Sequence, residues 1–219
     1  MSQHDENGDV SRETEPLADA VGRRVFGDNH PIAETYAELL ADDGVVRGLI
    51  GPREVGRLWE RHLLNCAVIS ELVDRDADVL DIGSGAGLPG IPLAIARPDL
   101  WVTLVEPMER RVNFLTEAVD ALRLPNVEVL RARAESVSPK GKADVVTSRA
   151  VAPLRKLADW CLPLARPGGE VLAIKGASAR DEVTRYLGEN RRHAQHKPEV
   201  LQCGAGMLPT PTTVIRLMR

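Results

Sequence analysis

The residues best placed to do chemistry begin at Asp81. Asp81-Ile82-Gly83-Ser84-Gly85-Ala86-Gly87 follows the short apolar run Val79–Ile82 and leads into a helical pattern near Leu88–Ala96. Glycines at a strand-to-helix junction let a ligand approach the backbone, and the helix start offers amides without partners. Gly85-x-Gly87-x-x-Gly90 also fits the dinucleotide fingerprint, so the glycines by themselves leave a nicotinamide cofactor open. Asp81 discriminates between the two. A carboxylate at the strand end repels a pyrophosphate and attracts an ammonium or sulfonium centre, such as S-adenosylmethionine carries. No Lys-Ser or Lys-Thr pair adjoins the loop, which argues against a P-loop.

Glu106 ends the next apolar run, 23 residues after Gly83. An acid about 20 residues beyond a glycine loop can accept hydrogen bonds from ribose hydroxyls. Its other reading is an acid favouring the dipole of the following helix, which Arg110 and Arg111 open against that dipole. Ala134 and Glu135 follow a third run and can border an adenine. Arg149 ends a fourth, Thr147-Ser148-Arg149-Ala150, and therefore belongs at a site rim, facing cofactor, RNA or both.

The elements that position these residues form a strand–helix alternation. Strand-like runs lie at Val79–Ile82, Trp101–Val105, Val127–Leu130, Asp144–Thr147, Glu170–Ile174, Val200–Gln202 and Thr213–Leu217. Helical patterns lie near Leu88–Ala96, Glu109–Leu122, Pro153–Ala165 and Ala177–Glu189. Nearly continuous apolar strands separated by helices predict an α/β fold around a buried, seven-stranded, mostly parallel sheet. Pro167-Gly168-Gly169 reads as a sharp turn before the fifth strand. Upstream, helical patterns at Leu17–Phe26 and Ile32–Leu40 precede a break at Gly48–Pro52. Arg53–Val73 then reads as one long amphipathic helix, with Val55, Leu58, Trp59, His62, Cys66, Ile69 and Val73 on its apolar face. The organisation expected is a disordered acidic tail (1–16), a helical extension (17–75) and a catalytic domain (76–219).

Composition narrows the function classes. The net charge of −4 counts against a nucleic-acid partner, but residues 1–17 hold five acids and one base, leaving 27 of each in the rest. A neutral body rich in Arg permits an RNA partner without demanding one. Three scattered cysteines, Cys66, Cys161 and Cys203, imply no disulfide framework. His193 and His196 lack the companions of a metal site, so no metal is expected. No apolar stretch approaches the roughly 20 residues that span a membrane. The polar N-terminus is unlike a signal peptide, so a cytoplasmic location is expected.

Taken together, these residues resemble the bacterial 16S rRNA guanine-N7 methyltransferase G family, also called glucose-inhibited division protein B. The resemblance runs from about Arg53 to Gly176. It rests on Arg61-His62-Leu63, on Asp81 through Pro92 and on Arg110-Arg111-Val112-Asn113-Phe114-Leu115. It rests also on Arg133-Ala134-Glu135, Val146 through Ala150 and Lys175-Gly176. It implies the class I S-adenosylmethionine-dependent methyltransferase fold, which is Rossmann-like, with an N-terminal helical extension. It also implies S-adenosylmethionine as cofactor, with contacts at Gly83, Leu88, Ala134, Glu135 and Arg149; Asp81, Gly85 and Glu106 join them from the residue reading. The substrate implied is a guanine in the 530 loop of 16S rRNA, presented as RNA or as a small-subunit precursor. Two departures stand out: Gly48–Pro52 replaces the family's Asn-Leu-Thr, and Asn65-Cys66 replaces Asp-Ser. Glu106 stands where Asp is common.

Guanine N7 carries a lone pair and no proton, so this methylation needs no general base and no catalytic side chain is assigned. His62, Arg149 and Lys175 are the candidate RNA contacts, with the basic run Arg191-Arg192-His193 and His196-Lys197 as a further phosphate contact. Aromatics are 3% of residues, so arginine stacking must replace an aromatic RNA platform.

Overall fold

The seven apolar runs form one sheet in a computed structural model that describes residues 19–219. The strands are β1 (Asp78–Ile82), β2 (Trp101–Val105), β3 (Val127–Leu130), β4 (Ala143–Arg149), β5 (Ala165–Lys175), β6 (Glu199–Cys203) and β7 (Thr212–Met218). Their order is β3-β2-β1-β4-β5-β7-β6, and only β7 runs against the others. Strand side chains alternate between two cores, as a period of two requires. Leu104, Val145, Leu172 and Val214 enter one. Their neighbours Val105, Val146, Val171 and Ile215 enter the other.

Helices cover both faces. The first core is roofed by α1 (His30–Leu39), α2 (Gly90–Ala96) and α3 (Glu109–Leu122), through residues such as Tyr36, Leu93 and Phe114. Pro31 lies in the first turn of α1, where its missing N–H costs nothing. The second core is covered by α4 (Leu154–Cys161) and α5 (Ala179–Glu189). Phe26, Leu40, Leu58 and Leu63 of the extension share the first core with β1 and β2, so extension and sheet pack as one body. No helix among the described residues is long and apolar enough to cross a membrane. The acidic tail expected at 1–16 lies outside the described residues.

Two expectations need correction. The single helix expected over Arg53–Val73 is four short pieces: a 3₁₀ stretch Pro52–Arg57, a π-helical stretch Leu58–Leu64, an α turn Asn65–Ala67 and a 3₁₀ stretch Val68–Leu72. The apolar face is as read, but His62–Leu64 and Cys66–Ile69 are almost continuously buried. The buried surface is thus wider than one helical stripe, the winding changes along the segment, and Gly56 adds little helix preference at its start. Likewise, Pro167-Gly168-Gly169 does not precede β5 but bulges within it. Pairing passes from Ala143↔Ala165 to Val145↔Glu170, and the bulge is closed by Gly168 N–H on the Arg219 carbonyl at 3.1 Å.

Strand order reverses between β1 and β4, which are adjacent and parallel. Ligands of open α/β sheets bind at such a switch point, beyond the carboxyl ends of the strands. Ile82 and Arg149 end those two strands.

Candidate functional site

Beyond β1 the chain turns through the glycine loop. Gly83 and Ser84 donate to the Val105 carbonyl at 2.9 and 3.2 Å, which ties the loop to the end of β2. Gly83 has φ +72°, and a methyl group of Val151 lies 2.8 Å from where a Cβ would stand, so only glycine fits. From below, the buried Tyr36 hydroxyl donates to the Ala86 carbonyl at 2.8 Å.

Asp81 lies under this loop, fully buried. Its Oδ2 accepts from the Gly90 N–H at 3.0 Å, at the start of α2. Any Cβ on residue 90 would meet Leu104 and that same oxygen. Oδ1 has no partner. Burial pushes this carboxyl up to about 7, because an ion without water is costly. A buried carboxylate oxygen lacking a partner suits a cofactor that brings positive charge.

Glu106 is 1% exposed and spans two backbones. Oε2 accepts from Gly85 N–H at 3.0 Å and Oε1 from Met108 N–H at 3.0 Å. Arg111 comes within 3.5 Å of Oε2, and its buried Nε has no partner. Glu106 therefore braces the glycine loop and steadies the entry to α3 together.

These residues line a cleft of about 540 Å³ with Leu49, Ile50, His62, Leu88, Pro107, Arg149 and Val151. Gly83, Gly85, Leu88, Glu106 and Arg149 thus come together as the sequence predicts. Asp81 supports the cleft from beneath rather than lining it. Ala134 and Glu135 open a turn just past β3, one strand beyond Glu106, whose N–H meets the Leu130 carbonyl at 3.1 Å. Ala134 is buried, Glu135 is exposed, and neither lines the cleft.

A second cleft, about 830 Å³, opens past the ends of β4 and β5. Arg149, Ala150 and Val151 form the partition between the two. Lys175 lies here, but its ammonium is committed. Nζ donates to the Ala152 carbonyl at 2.7 Å and pairs with Glu182 at 2.8 Å. Glu182 also accepts from Leu154 N–H at 3.1 Å, so this pair clasps the loop between β4 and α4. The exposed cations on this cleft are Arg61 and Arg185. Further off, His193 and His196 each turn Nδ1 to a backbone carbonyl, of Tyr186 and Met218 respectively. Cys66, Cys161 and Cys203 are buried thiols.

Sequence reasoning missed Tyr36, Glu54, Val151 and Glu182. Tyr36 and Val151 act on residues tens of positions away, Glu54 and Glu182 on His62 and Lys175 eight and seven residues away, and no local pattern announces such contacts.

The family described as rRNA small subunit methyltransferase G matches residues 29–207, which includes all of the first cleft's lining and all of the second's but Thr210–Thr213. The chain belongs to that family. It is an S-adenosylmethionine-dependent rRNA methyltransferase. Among curated relatives, one from Thermobifida fusca is 57% identical over 195 residues, covering 89% of this chain and 82% of its own. Another, from Rhodococcus jostii, is 57% identical and covers 91% of this chain and 89% of its own. Both are named "Ribosomal RNA small subunit methyltransferase G". A solved S-adenosylmethionine-dependent methyltransferase from Aquifex aeolicus superposes with a TM-score of 0.54 at 20% identity, covering 84% of this chain and 97% of that one. A precorrin-6y C5,15-methyltransferase from Geobacter metallireducens gives 0.52 at 15%, with coverages of 82% and 96%. At such identities these two structures speak for the methyltransferase fold alone, and the relatives speak for the family.

Proposed function

We propose that this methyltransferase acts on N7 of a guanine in the 530 loop of 16S rRNA, within the cytoplasm. The reading rests chiefly on two clefts that meet at Arg149. Gly83, Gly85, Leu88 and Glu106 suit the adenosine and ribose of the cofactor, Ala134 and Glu135 the far end of its base, and Asp81 its positive charge. S-adenosylmethionine, when bound, supplies an electrophilic methyl group. The second cleft, with Arg61 and Arg185 exposed, suits an extruded nucleotide and its phosphates. Extrusion is needed because N7 faces the deep major groove of A-form RNA, which side chains cannot enter.

The side chains agree with a reaction that removes no proton in its methyl-transfer step. His62 is the imidazole facing the cofactor cleft, and both of its nitrogens are engaged, with Arg149 and with Glu54. What remains for the protein is alignment of the two reactants and exclusion of water between them. Mapping methylated guanines in 16S rRNA from cells with and without the gene tests the reading. A single gene-dependent N7-methylguanine in the 530 loop is expected; an unchanged map overturns it.

A further inference from the structure

Arg149 ends β4, and Ala150 after it takes a left-handed backbone at φ +54°. The strand ladder therefore stops fixing the chain where the guanidinium must be held. What holds the guanidinium comes from the extension. Nη2 lies 2.7 Å from His62 Nδ1, and Nη1 lies 3.2 Å from Cys66 Sγ. His62 Nε2 in turn lies 2.9 Å from Glu54 Oε2.

Chemistry orders these contacts. A guanidinium only donates, so His62 Nδ1 must present its lone pair. The ring proton then sits on Nε2 and is donated to Glu54. Donation runs one way, from Arg149 to His62 to Glu54, and works only while His62 is neutral. We propose that Glu54 and His62 are positioning residues for methyl transfer: Glu54 selects the His62 tautomer that holds Arg149 in the partition between the two clefts.

The charged groups facing His62 are Glu54 and Arg61 from its own segment and Arg149 from β4. Burial, then Arg149, pushes the imidazole below its ordinary 6.5, against the opposing pull of Glu54. Protonation would set an N–H on Nδ1 facing a guanidinium, donor against donor and cation against cation. The link is thus whole at neutral pH and breaks as pH falls through a value below 6.5.

Paired substitutions separate this from simple packing. In His62→Asn the side-chain oxygen takes the place of Nδ1, whereas in His62→Gln the amide reaches toward Glu54 instead. Initial rates of methyl transfer to 16S rRNA, from pH 5 to 9, are the readout, with melting temperature as the control for folding. His62→Asn should keep activity within about threefold at pH 7.5 and lose the acidic fall-off, while His62→Gln should lose roughly tenfold or more, as one charged hydrogen bond predicts. Equal losses in both, or an acidic fall-off that persists in His62→Asn, would overturn the proposal. Because Glu54 is a third exposed, its variants should fold whatever happens in the core. Glu54→Gln still accepts from Nε2–H and should keep its neutral rate, with the acidic fall-off moved to lower pH. Glu54→Ala frees the tautomer and should lose several-fold at pH 7.5. A Glu54→Ala enzyme with the unaltered rate and pH profile would equally overturn it.

Discussion

The cofactor cleft and the cleft beside it share a partition but are held together differently. The first is built mainly from contiguous chain: Gly83–Leu88 and Glu106–Arg111 supply most of its lining, and backbone bonds to Val105 and Glu106 fix its shape. The second is lined by the runs Arg149–Pro153, Ile174–Ser178 and Thr210–Thr213 with Arg61, Asn65, Glu182 and Arg185, and side-chain bonds from Lys175, Glu182 and Thr212 tie these distant segments together. One is a local loop with a charge beneath it. The other is a tertiary surface whose buried cation serves as a clasp. A small cofactor needs a rigid, preformed cradle, while a nucleotide within a large RNA is met by a wider surface of mixed origin.

Arg149 belongs to both, so Arg149→Ala should cost most. A loss of about 3–4 kcal/mol in transfer efficiency is expected, the scale of removing one charged group that steadies a reacting centre. Calorimetry with S-adenosylhomocysteine and RNA filter binding should both show weakening. If either stays unaltered, Arg149 serves one cleft and the partition is not shared. Next, Glu106→Ala should weaken S-adenosylhomocysteine by about 1–3 kcal/mol through lost hydrogen bonds to a charged group, with RNA affinity preserved. Equal losses of both ligands would erase the distinction between local and tertiary construction.

Asp81→Asn should weaken the cofactor less, by about 1–2 kcal/mol, since Asp81 supports the cleft from beneath. Its stability signature has a definite sign. A carboxyl raised to about 7 binds its proton more tightly folded than unfolded, so the empty enzyme loses stability as pH rises from 3.8 through 7. Asp81→Asn keeps an oxygen for the Gly90 N–H and should flatten that decline. Denaturant melts at pH 6 and pH 8.5 decide this, and a decline as steep as in the unaltered enzyme would contradict it. The smallest effect belongs to the second cleft. Arg185→Ala should weaken RNA by no more than about 1 kcal/mol and lower the slope of binding against log salt by about one, with cofactor affinity unaltered. A slope that does not move would remove Arg185 from the RNA surface.

The same contrast explains what the sequence alone could reveal. All seven strands and the glycine loop were legible in part or whole because each holds a run whose residue types suffice, but the Ala165–Gly169 part of β5, with its bulge, was not. Asp81 and Glu106 were legible by their place at strand ends. His62 was singled out, but its partner lies 87 residues away, and Glu54 carries no signal at all. Lys175 read as a phosphate contact because it ends β5 at the site rim; Glu182, seven residues on, takes its charge. Helical periodicity in Arg53–Val73 revealed part of the buried surface, since Leu63, Leu64, Ala67 and Val68 outside the expected face are buried as well. The winding was set by packing against the sheet, which local spacing does not encode.

Tyr36 gives the extension a thermodynamic place in the enzyme. Its hydroxyl holds the Ala86 carbonyl from inside the first core, where α1, α2 and the glycine loop meet. Opening α1 therefore releases the cofactor loop, and a ligand that needs that loop ordered opposes the opening by its own binding free energy. Backbone amides of α1, far outside the cleft, should exchange with solvent more slowly as cofactor concentration rises. The extension is then a folding partner of the cofactor as well as a cover for the sheet.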